Sequence, residues 1–162
     1  MSMAWIPLLL TMVATATALY LRHTEWAAAS LWASRIAYST LVLQAPLYFL
    51  HRGGYRVSRP ACEWTFGLDL AIYSLTNYAH IVLFGVLFLV TFAQLRGVPR
   101  QIVCSAAVTL AVGLLVELAQ GVSGQHHCRM RDLVPDSVGA LWGATVVWAV
   151  TAISDFRRRV RP

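Results

Sequence analysis

Charge is what this chain has least of. Only 12% of its 162 residues are charged, against 58% hydrophobic, about half the charge content of an ordinary soluble domain. That argues against a soluble globular protein and makes an integral membrane protein the starting expectation. Cysteine is scarce too. Cys62, Cys104 and Cys128 are the three; an odd count leaves at least one free, Cys104 lies inside an apolar run, and no disulfide framework is expected, so they say little about redox compartment. Also missing are a Gly-x-Ser-x-Gly elbow, a nucleotide-binding loop, a dinucleotide fingerprint and a His-Glu-x-x-His pair, which removes the commonest motif-bearing enzyme classes. There is no internal repeat and no low-complexity linker. Thirteen basic against seven acidic residues give a net charge of +6. The arginines sit in short loops and the tail between apolar runs, so anionic lipid and membrane topology account for them, and no nucleic-acid partner is expected.

What is there is a series of apolar windows. About 20 apolar residues cross a bilayer as a helix. Met3 to Leu21, Tyr78 to Leu95, Ile102 to Leu118 and Pro135 to Ile153 meet that length closely, and Trp26 to Leu50 meets it with Arg35 inside, a residue that can snorkel to the interface. The first window has small residues in "ATATA" but no basic n-region, and is read as a retained helix rather than a signal peptide. Between the second and third windows, "HRGGYRVSRPACEWTFGLDLAIYSLTN" reads as a Gly/Pro-punctuated loop and then an interfacial helix or an extension of the next span, carrying Glu63 and Asp69. The expected fold is all-α, a polytopic membrane bundle of about five transmembrane helices. It forms one domain, with N-terminal helices and interfacial segment over 1–76, a core over 77–153 and a basic tail over 154–162.

The loops set an orientation. The side reached by the 51–60 and 121–134 loops carries five arginines and the opposite side eight, including those of "RRRVR". The positive-inside rule makes the second side cytoplasmic. The protein is then expected in the cytoplasmic membrane, with a cytoplasmic C-terminus and the 121–134 loop facing outward.

That loop and its flanks concentrate the polar residues. Glu117 and Gln120, three apart, share a face at the end of the fourth span. Asp132, Asp136, Gly139 and Gly143 form one stripe down the fifth, acid at the surface and small residues deeper, where close helix approach is possible in lipid. His80 begins the third span on the same side. A carboxylate partly inside a membrane costs roughly 2–3 kcal/mol and should face protein or water with a partner; Arg129 and Arg131 are the expected partners. The functional reading is an outward-facing polar pocket in which Arg or His holds an anion while Glu or Asp moves protons. The plainer readings run beside it. Asp132 fits an N-cap, with Pro135 in the first turn. Arg129 and Arg131 fit interfacial anchors, His80 an interface residue, the glycines packing, and Trp5, Trp142 and Trp148 interface or packing aromatics. Glu117 has no capping role to explain it. "HHC" offers His126, His127 and Cys128 as zinc ligands with Asp132, but adjacent ligands on a short loop match no standard zinc spacing, and no metal or other cofactor is expected.

These motifs resemble the VanZ-like family of small bacterial membrane proteins, named for a protein associated with teicoplanin resistance. The family pattern is a His at the start of one helix, Glu-x-x-Gln at the end of the next, Arg and Asp in a short loop, and Asn-x-x-Gly-Ala-x-x-Gly entering the last helix. His80, Glu117 with Gln120, Asp132, and "DSVGALWG" (Asp136 to Gly143) supply these elements in order. Two departures stand out: Asp136 occupies the usual Asn position, and the loop Arg is offset, with His126 about where it often falls. The resemblance covers Asn77 to Ala149, about half the chain, with nothing specific from the first two helices. It implies a helical membrane fold and envelope biology linked to glycopeptide resistance.

Two function classes follow. The first is a membrane-embedded transferase or hydrolase acting at the outer face on a lipid-linked or phosphorylated amphiphile. In it Glu117 is the general acid or base, Asp132 and Asp136 orienting or proton-relay groups, Arg129 and Arg131 anion binders, and Gln120 and His80 hydrogen-bonding support. The second is a non-enzymatic amphiphile binder or proton-coupled carrier, for which polar residues deep in several helices are expected. Membrane lipids or a lipid-linked envelope precursor are the expected partners in both. Neither the substrate nor the oligomeric state is legible at this level.

Overall fold

The computed structural model describes residues 5–52, 62–65, 67–123 and 128–160. Six helices occur there: α1 (Trp5–Tyr20), α2 (Ala27–Arg52), α3 (Leu68–Ser74), α4 (Tyr78–Gln94), α5 (Gln101–Ser123) and α6 (Leu133–Val160). The five long ones correspond to the five apolar windows. The fifth window extends at both ends, because helical geometry continues through the arginine-rich "SDFRRRV". Cations in the last turn of a helix meet the negative end of its dipole, which favours that continuation.

By length and composition, three segments of the described residues are apolar enough to cross a membrane: Ile6–His23, Gln101–Ser123 and Met130–Arg159. A fourth crossing results if α3 and α4, bent by 74° at the break between them, are taken as one span. The stretch before α4 therefore forms a short helix turned away from the α4 axis. α2 is long enough, about 39 Å at 1.5 Å per residue, but is diluted by serines, Arg35, Gln44 and an internal Pro46. Several of its polar groups are taken up by other helices. The Gln94 amide donates to Ser34 Oγ (2.6 Å) and Thr15 Oγ1 (3.2 Å), and Tyr38 Oη donates to Thr91 Oγ1 (3.0 Å). Without water in the hydrocarbon layer such groups are satisfied by neighbouring helices, and these bonds tie α1 and α2 to α4.

The outer surface is apolar: Leu10, Trp26, Leu43, Leu141 and Trp148 are all more than half exposed. Apolar exposure on that scale suits lipid and not water. Inside, Phe84, Leu87 and Val112 form one cluster, and Phe88, Ala140 and Val147 another. The helix pair in most extensive contact is α4 with α6. A β-carbon added at Gly139 would collide with the Ile81 carbonyl oxygen, and one at Gly143 would stand 2.8 Å from Phe88 and 3.0 Å from the Gly85 oxygen. Gly85 in turn lies beneath the Trp142 ring. The glycine stripe read in the sequence is thus the surface on which α4 and α6 meet.

Two short strands, β1 (Cys62–Glu63) and β2 (Cys128–Arg129), pair in parallel with Cys62 opposite Cys128 and Glu63 opposite Arg129. Cys62 and Cys128 form a disulfide, and the free thiol is Cys104. This corrects the expectation of no disulfide framework. The bridge joins two loops 66 residues apart in sequence, and which pair of three cysteines meets depends on how those loops dock. Gly121 on α5 makes room for it: a β-carbon there would stand 2.9 Å from Cys128 Cβ and 3.2 Å from Cys62 Sγ. Alkylation of the denatured, unreduced protein should therefore modify Cys104 alone, and all three thiols after reduction, as read by intact mass. Replacing both bridged cysteines by serine should lower thermal stability. About 4 kcal/mol is the ceiling from a chain-entropy estimate for a loop this long, reduced because α4 and α5, inside the loop, stay anchored in the membrane.

Candidate functional site

Three helix ends and the strand pair converge at one end of the bundle. His80 lies in the first turn of α4, Glu117 two turns before the end of α5, and Asp136 in the first turn of α6. The close approach of α4 and α6 sets His80 against Asp136, with Nδ1 and Oδ1 3.0 Å apart. An ionised Asp136 accepts a hydrogen bond from Nδ1–H, which leaves Nε2 as the basic nitrogen of the ring. Asp136 is 1% exposed. A β-carbon at Gly113 would stand 2.7 Å from its Oδ2, so the glycine on α5 is what gives this carboxylate room. The His80 side chain is about one-third exposed and stacks on Phe84.

Glu117, 3% exposed, accepts the backbone N–H of Arg129 on Oε2 at 2.9 Å. The acid near the end of α5 thus holds the strand that leads into α6. A buried carboxylate without such a donor would carry its full desolvation cost. Glu117, Asp132, Asp136 and His80 are close enough for their charges to act on one another.

The arginines are placed differently from expectation. Arg129 Nε lies 3.8 Å and Arg131 Nη1 3.7 Å from the carboxylate of Glu63 on β1, and among the described residues neither guanidinium forms an ion pair with Glu117, Asp132 or Asp136. Glu63 was not a candidate on sequence; it reaches the site because β1 pairs with β2, a long-range pairing that no local pattern announces. Asp132 closes a 3-10 turn, Met130–Asp132, directly before α6. Among the described residues its carboxylate makes no capping hydrogen bond, so the N-cap explanation does not hold there. Gln120 sits at the same end of α5 beside Gly121, and its main-chain carbonyl accepts a hydrogen bond from Ser123 Oγ. Of the residues weighed for zinc, His126 and His127 lie outside the described residues, and the sulfur of Cys128 is committed to the disulfide.

A family model described as VanZ/LLP1 matches residues 5–151. The match takes in the first two helices, which carried no specific signal in the motif reading and lay outside its Asn77 to Ala149 limits. No curated protein and no solved structure matches the chain.

Proposed function

Since the chain belongs to the VanZ/LLP1 family and folds as a helical membrane bundle, we propose that it is an enzyme of the bacterial cell envelope. It acts at the outer face of the cytoplasmic membrane on a lipid-linked or phosphorylated amphiphile, by transfer or hydrolysis. The observation that carries this reading is the Asp136–His80 pair. A buried acid that holds one imidazole nitrogen sets the ring's tautomer and direction, the arrangement by which a histidine takes a proton from water or a hydroxyl and returns it to a leaving group. Exposure divides the roles. His80, part exposed, is the proton-transfer group; Asp136 orients it; Glu117, nearly sealed, positions the strand and the turn bearing Arg129, Arg131 and Asp132. This moves the acid–base role from Glu117, where sequence alone placed it, to His80. Arg129 and Arg131, held beside Glu63 by long contacts, are the groups that would take an anionic headgroup by exchanging one carboxylate for another anion.

Two observations support the outward orientation. The opposite end carries the larger share of arginines, eight against five. The Cys62–Cys128 disulfide lies at the same end as His80, and such bonds persist in oxidising compartments. A link to glycopeptide resistance, implied by the family resemblance, fits a substrate drawn from lipid-linked envelope precursors.

The test is a mass-spectrometric comparison of lipids and lipid-linked precursors in cells producing the wild type, His80→Asn, or no protein, at matched levels. A species that changes only with wild type is the expected result. Three coincident profiles would sink catalysis on an abundant envelope lipid and favour the binder or carrier, whose ligand leaves chemically unchanged.

A further inference from the structure

At the opposite end of the bundle, between α1, α2 and the end of α4, lies a cavity of about 380 Å³ that the reading above does not use. Arg22, Arg35 and Arg96 line it, and among the described residues no acidic side chain does. Among the described residues none of the three forms an ion pair: Arg22 Nε donates to His23 Nε2 at 2.9 Å, and Arg35 lies over the Trp32 ring at 5.8 Å. Three cations from separate elements at one opening repel each other unless an anion sits among them. The polar cluster of Thr15, Ser34 and Gln94 also lines the cavity. The remaining lining is alanine and leucine from α1, α2 and α4, surface suited to an alkyl chain.

We propose that this cavity binds the headgroup of an anionic phospholipid, with the phosphate among Arg22, Arg35 and Arg96. Guanidinium groups match phosphate oxygens two at a time. The alkyl walls select a lipid over a free anion. The site lies on the other membrane face from His80, so it stands or falls independently of the catalytic reading.

Native mass spectrometry of the purified protein, exchanged from mixed phosphatidylglycerol and phosphatidylcholine, tests it. Retention of phosphatidylglycerol over phosphatidylcholine by about tenfold or more is expected, the scale of one charge-assisted contact. The Arg22→Gln/Arg96→Gln variant should lose that preference. Arg157→Gln/Arg158→Gln, at the tail, should leave it unchanged. Arg22→Lys/Arg96→Lys keeps the charges but not the forks, and intermediate retention is expected; if the glutamine variant is not monodisperse, this pair decides the matter, wild-type retention or none overturning the proposal. Equal loss on changing the tail arginines would reduce the preference to diffuse charge. Displacement of the lipid by excess inorganic phosphate would make the cavity a free-anion site. Either result, or no lipid preference at all, overturns the proposal.

Discussion

His80→Asn should lower turnover of the wild-type-dependent lipid species by about 10²- to 10⁴-fold, the usual contribution of a positioned acid or base, while the bundle melts as before. Asparagine keeps a polar group opposite Asp136 and fits the space of an imidazole that is already part exposed. The fold therefore loses little, and the chemistry loses the one ring whose second nitrogen is available. The expected signature is a fall in kcat with KM little changed, since the ring is asked to act in the transition state and not to hold the ground state. A rise in KM alone would make His80 a binding residue.

Glu117→Gln separates the two assignments of the acid–base role. If Glu117 acts as an acceptor for the Arg129 N–H, a glutamine carbonyl can accept the same proton, and activity should stay within about tenfold, one hydrogen bond between neutral and charged partners. Glu117→Leu removes the acceptor altogether, leaves a buried N–H unpaired, and should be the more damaging change. If Glu117 itself moved protons, Gln and Leu would be equally inactive. The order of these two variants is thus more informative than either alone, and it is read on the same lipid species as His80→Asn.

His80, Glu117, Gln120, Asp132 and Asp136 could be placed at one membrane level from the chain alone for a physical reason. Apolar windows near bilayer length alternate in direction, so polar residues at successive window ends fall on known sides. The stripe of Gly139 and Gly143 was legible because helical spacing puts both on one face. Glu63 and the Cys62–Cys128 bridge were not, because both depend on two loops docking in a particular register across 66 residues. The hydrogen bonds of Ser34, Thr15 and Gln94 were equally silent: each is an ordinary polar residue in its own helix, and only the packing of three helices brings them together. Arg22 and Arg96 entered the sequence reading as votes for topology and Arg35 also as a charge that can snorkel, and their convergence on one cavity is a tertiary fact.

Gly139→Leu is the substitution expected to damage fold and site together. The β-carbon alone would run into the Ile81 carbonyl oxygen and stand 3.0 Å from Gly85 N and Phe84 Cβ. Two of those obstacles are backbone, so no rotamer change relieves them and α4 must move away from α6. Overpacking by small additions costs about 1–3 kcal/mol; Gly139→Ala should fall in that range and leucine beyond it. Ile81 adjoins His80, and Gly139 is one turn from Asp136, so the wedge opens where the 3.0 Å contact is made. Activity should therefore fall in Gly139→Ala even at temperatures where the variant remains folded, because an imidazole displaced from its carboxylate loses its fixed tautomer. Gly67→Ala is the control: its new β-carbon meets nothing nearer than 3.9 Å, and its stability should stay within about 1 kcal/mol of wild type, the scale of an N-cap change at the start of α3. Equal melting temperatures for Gly139→Ala and Gly67→Ala would mean that α4 and α6 are not held together by the glycine contact, and the argument that packing positions His80 would fail with it.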